Sequence, residues 1–89
     1  MHARASIQVW GREKSPAVWD ILIEGKLDGK SFIQVFFLTA SSKDVAVDLA
    51  RAKFQTLEGE FVDVAEAKRT RNVALRNDEV EVGGRIFFG

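Results

Sequence analysis

AVWDILIEGKLDGKSFIQVFFLTASSKDVAVDLARAKFQTLEG, residues 17–59, is the stretch whose reading decides the fold. From Ala17, the odd positions Trp19, Ile21 and Ile23 are apolar while Asp20 and Glu24 point the other way. That period of two is the signature of a half-buried strand. Lys26-Leu27-Asp28-Gly29-Lys30 follows as the turn, with Asp28-Gly29 the tight-turn signal. The next strand, residues 31–39, differs in kind. Phe32, Phe36 and Leu38 lie on one face and Ile33, Val35 and Phe37 on the other. A strand that is apolar on both faces is a central one, covered on each side. A helix supplies one cover. In so small a chain the other is either a partner molecule or the sheet curling over itself.

The helix follows at once. Ser41 and Ser42 offer N-caps, and Asp44 stands three residues after Ser41, as in a capping box, where the helix dipole favours a carboxylate. Val45, Ala46, Leu49, Ala50, Ala52 and Leu57 form the expected apolar stripe, with Val47 and Phe54 at its margin and Gly59 as the C′ stop.

Outward from this centre the pattern thins. Residues 6–10 alternate, Ile7 and Val9 sharing a buried face of a first strand, before a polar connection that ends at Pro16. After Gly59, residues 61–64 read as a strand and residues 73–75 as another; residues 65–69 have helical propensity but no cap and no apolar face. At the C-terminus, Val80 and Val82 alternate with Glu79 and Glu81, Gly83-Gly84 reads as a hairpin turn, and residues 85–88 return. The expectation is a single α+β domain over residues 1–89: an antiparallel sheet of about five to six strands with one long helix packed on one face, in the order β-β-β-α-β-β-β.

Composition agrees with a folded domain. The 89 residues are 46% hydrophobic and 29% charged, with no net charge. Seven Phe and two Trp supply much of the apolar bulk, and no cysteine is present to form a disulfide or a thiolate metal site. The longest apolar run, near Phe36, is strand-sized against the ~20 residues that span a bilayer. Residues 1–4 lead into the Ile7-Val9 alternation and not into the apolar core of a signal peptide. A cytoplasmic protein with no membrane partner is expected.

Little in the chain carries reaction chemistry. There is no Cys or Tyr, and the one His is His2, too near the end to be held as a catalytic imidazole. Zinc ligation by His and Cys is excluded by count. Residues 25–31, GKLDGKS, end like a phosphate-binding loop, but only three residues separate the glycines and Lys-Ser opens a strand. Asp44 and Asp48 share a helix face, yet two carboxylates make a weak cation site, and a cap with an Asp48–Arg51 pair accounts for them. No enzyme and no cofactor is expected.

Two readings of function remain. The first is a non-enzymatic protein-binding module, a small adaptor, an inhibitor or a homodimer, acting through a sheet face or an edge strand. Its candidate contacts are Trp10, Phe32, Phe36, Ile86 and Phe88. Trp10 has the opposite parity to Ile7 and Val9, so it is either an exposed interface anchor or packs under the loop that follows. The second reading is nucleic-acid binding through the basic segment Lys68, Arg69, Arg71 and Arg76. Against it stands the absence of net positive charge. The same segment also suits an acidic protein surface, or a solvated loop beside its acidic neighbours.

Overall fold

The structure is a computed structural model and describes residues 17–70 and 80–88. Within them the order is β1 (Ala17–Leu27), β2 (Lys30–Ala40), α1 (Lys43–Phe54), β3 (Glu60–Arg69) and β4 (Glu81–Phe88). The four strands form one antiparallel sheet in the order β3-β1-β2-β4. The α+β architecture is as expected, but four strands are described where five to six were expected, in the order β-β-α-β-β. The expected strands at residues 6–10 and 73–75 lie outside the described residues.

The central hairpin follows the alternation closely. Asp28 and Gly29 both take positive φ, 54° and 80°, as a two-residue hairpin turn of this hand requires. From there Leu27 pairs with Lys30 and the ladder runs unbroken to Ala17 with Ala40. Ile21, Ile23, Phe32, Phe36 and Leu38 are fully buried on one face of the sheet.

That face is closed by α1. The Ser42 hydroxyl accepts the Val45 N–H at 3.3 Å, and Asp44 occupies the first turn. The buried residues are Ala46, Ala50 and Phe54, while Val45 and Leu49 are 43% and 37% exposed. The apolar stripe is therefore rotated from the expected one. Alanines at positions 46 and 50 let the helix approach the strands closely, and Phe54 fills the far end. Its ring lies 6.1 Å from Phe32, 6.5 Å from Phe36 and 6.0 Å from Phe61. Arg51 stacks over Phe61 at 4.5 Å. The helix ends at Phe54, five residues before the expected glycine stop, because the next N–H groups turn to carbonyls three residues back, Thr56 to Lys53 and Leu57 to Phe54, both at 2.9 Å. Gly59 serves packing instead. It has φ 121°, and a Cβ there would sit 2.7 Å from the Phe32 ring.

Two segments depart from the sequence pattern for tertiary reasons. Residues 65–69, helical by propensity, are strand, because pairing with β1 satisfies their backbone; β3 is irregular opposite Leu22/Ile23 and again opposite Glu24/Gly25. Gly83-Gly84 is not a turn but an irregularity within one continuous strand, opposite the step from Gln34 to Phe36. The Gln34 side chain, 3% exposed, makes this kink tenable. Its amide donates to the carbonyls of Gly83 (3.0 Å) and Gly84 (3.1 Å), and its oxygen accepts from Arg85 Nε at 2.7 Å. Arg85 in turn lies 3.9 Å over the Phe32 ring.

Candidate functional site

The other face of the sheet carries no described helix. Among the described residues, no element packs over it. Register fixes which side chains share it, row by row from β3 to β4. Glu60, Lys26, Ser31 and Phe88 form the first row; Asp63, Glu24, Ile33 and Ile86 the second. Glu66, Leu22 and Val35 form the third, beside the Gly83-Gly84 kink; Lys68, Asp20, Phe37 and Glu81 the fourth.

These rows divide the face lengthwise. The β2–β4 half is an apolar lane. Ile33, Val35 and Phe37 are half-buried, Ile86 is 63% exposed and Phe88 47% exposed. Phe37 and Val35 close over Gly83, where an added Cβ would meet them at 2.8 and 3.2 Å, so the lane has no gap at the kink. The β1–β3 half is acidic. Its two end rows pair opposite charges, Lys26 with Glu60 and Asp20 with Lys68. In the middle, Glu24 stands directly across from Asp63, with Glu66 in the next row. Like charges directly opposed on neighbouring strands are destabilising. Asp63 is partly occupied, its carboxylate accepting the Val64 N–H at 2.8 Å.

The two sheet edges differ as well. β3 is irregular at two points and rich in charge, features that discourage pairing with another chain. β4 carries Val82, Ile86, Phe87 and Phe88 and only two charged residues, Glu81 and Arg85. No described strand pairs with its outer side.

The expected contact residues are redistributed accordingly. Phe32 and Phe36 are 0% exposed beneath α1 and cannot touch a partner, which corrects their candidacy. The residues of their strand that lie on the open face are those of opposite parity: Ile33, Val35 and Phe37. The alternation already placed these three together, and the strand's double apolarity was the signal that the second face mattered. Leu22 and the acidic lane were not legible, since they depend on which residues of β1 and β3 stand opposite one another. Ile86 and Phe88 do lie exposed on the open face. Phe87 points to the helix side, half exposed, with its ring 5.4 Å from Phe32.

The basic cluster does not assemble among the described residues. Lys68 pairs with Asp20 on the open face, whereas Arg69 pairs with Trp19 on the helix face. Arg71, Arg76 and Trp10 lie outside the described residues. Open hollows are found among the described residues, two of them as follows. One, of about 450 Å³, lies at the β1–β2 turn against Gly59 and Glu60; the other, of about 520 Å³, lies between α1 and Val80. Neither gathers a reactive set, and among the described residues no three His, Cys, Asp or Glu side chains are grouped to hold a metal. No described helix is long and apolar enough to cross a membrane.

No protein-family model, curated protein or solved structure matches this chain.

Proposed function

We propose that the chain is a non-enzymatic protein-binding module whose contact surface is the open face of the sheet, with the outer side of β4 as a second place for a partner strand. The observation that carries this reading is the apolar lane of Ile33, Val35, Phe37, Ile86 and Phe88, which no described element covers. Contiguous apolar surface of this kind on a small domain marks interaction sites. The β4 edge adds backbone donors and acceptors that a partner strand can pair with.

The nucleic-acid reading has less support. It rests on Lys68, Arg69, Arg71 and Arg76, of which the two described residues lie on opposite faces, and Lys68 lies among carboxylates.

The test is affinity capture with three forms of the chain: wild type, Ile86→Ser/Phe88→Ser, and Leu49→Ser on the exposed side of α1. A partner retained by wild type and Leu49→Ser but lost from the double variant is the expected result. A partner retained equally by all three refutes the assignment of the face.

A further inference from the structure

Resting on that reading, we infer that the occupant of the open face is a cationic amphipathic helix of another protein. It lays its apolar side along the β2–β4 lane and its Lys or Arg flank against Glu24, Asp63 and Glu66. The two halves of the face make separate demands. The apolar lane needs covering by carbon. The acidic centre needs positive charge, because Glu24 and Asp63 stand opposite one another with no ion pair among the described residues. Both lie in the row that holds Ile33 and Ile86, and Glu66 lies in the row that holds Leu22 and Val35. A ligand on the lane therefore passes directly beside the carboxylates.

The dimensions suit one helix. The lane runs from the Ser31 row to the Phe37 row, about 20 Å along the strands. That length matches about 13 helical residues at 1.5 Å each. The centres of the two lanes are separated by two strand spacings, about 10 Å, roughly one helix diameter. A helix on the apolar lane thus presents its side, and not its back, to the acids. The opposite face already shows the arrangement: α1, twelve residues long, lies on the same sheet.

A second copy of the chain fits less well. A two-fold axis that superposes two complete faces lays the acidic lane either on itself or on the apolar lane. Both bury Glu24, Asp63 and Glu66 without a counter-charge, which is costly. A half-overlap of the apolar lanes alone leaves the acidic centres unanswered.

The experiment pans a phage-displayed library of random peptides, each about 16 residues to span the lane, on the wild-type protein. Recovered peptides are then measured by fluorescence anisotropy against wild type, Glu24→Lys/Glu66→Lys and Ile86→Ser/Phe88→Ser. The first variant sets a lysine opposite Asp63 and relieves the like-charge pair, so its urea midpoint should equal or exceed that of wild type. The expected peptides carry apolar residues at helical spacing with an excess of Lys or Arg on one flank. They should bind the Glu24→Lys/Glu66→Lys variant about tenfold more weakly, the yield of two exposed ion pairs, and lose affinity as salt rises. Peptides lost on Ile86→Ser/Phe88→Ser that show no basic excess, or bind the charge-reversed variant equally well, overturn the inference and leave the protein-binding reading standing. A wild-type dimer in sedimentation that Ile86→Ser/Phe88→Ser dissociates overturns it in favour of a second copy. Peptides indifferent to Ile86→Ser/Phe88→Ser, or no enrichment at all, overturn both.

Discussion

Replacing Gln34 with Leu should detach β4 from an otherwise intact sheet. Gln34 is the one buried polar side chain among the described residues, and three of its bonds hold the Gly83-Gly84 kink and Arg85 in place. Losing the two bonds to glycine carbonyls costs about 1 kcal/mol each. The Arg85 bond is charge-assisted and worth about 1.5–3 kcal/mol, discounted because Arg85 is only half-buried and recovers water. Leu returns on the order of 1 kcal/mol of apolar burial. The net is a loss of about 2–3 kcal/mol from a total of about 5–15 kcal/mol. With a urea slope near 1 kcal/mol/M for a small domain, the midpoint should fall by about 2–3 M. Hydrogen exchange separates this from general weakening: the β4 amides should lose most of their protection, while those of β1 fall only by the global loss of about 2–3 kcal/mol. A midpoint shift below about 0.5 M, or uniform loss of protection, refutes the assignment of the kink to Gln34.

Two further outcomes follow from the core, one from the hairpin turn and one from the helix cap. Gly59→Ala sets a Cβ 2.7 Å from the Phe32 ring at φ 121° and should lower Tm by about 10 °C or more. Gly29→Ala meets open space and bears only the positive φ, so calorimetry should show roughly half that effect or less. Phe54→Ala empties the space between Phe32, Phe36 and Phe61 and should cost about 3–5 kcal/mol in urea unfolding, enough to leave a large unfolded fraction. Ser42→Ala removes the cap on an exposed helix end and should cost about 0.5–1 kcal/mol, visible as a small loss of thermal stability by circular dichroism.

The fold was legible where local pattern and tertiary outcome agree. The Asp28-Gly29 turn, the parity of β1 and β2 and the serine cap all stand where alternation and capping chemistry put them. The misreadings share one cause, which is that a distant partner outweighed local preference. Residues 65–69 gave up helical propensity for the β1 ladder, and Gly83-Gly84 reads as a hairpin turn until the Gln34 amide is placed against it. Phe32 and Phe36 were correctly assigned to one face but to the wrong role, since alternation groups side chains without saying which group the helix covers. Trp19 shows the same limit in milder form: it packs toward the core, yet it remains half-exposed with its indole N–H bonded to the Ala40 carbonyl at 3.0 Å. The acidic lane is a property of register, and register across β3 depends on two irregularities that no local pattern announces.

The most direct test of the open face as a contact surface is amide chemical-shift mapping of the labelled chain, titrated with its tightest selected peptide. Shifts concentrated on Leu22, Glu24, Ile33, Val35, Phe37, Ile86 and Phe88, with the exposed side of α1 unmoved, are the predicted result. Shifts centred on Val45, Leu49 and the hollow beside Val80 would contradict it and move the binding surface to the helix side of the sheet.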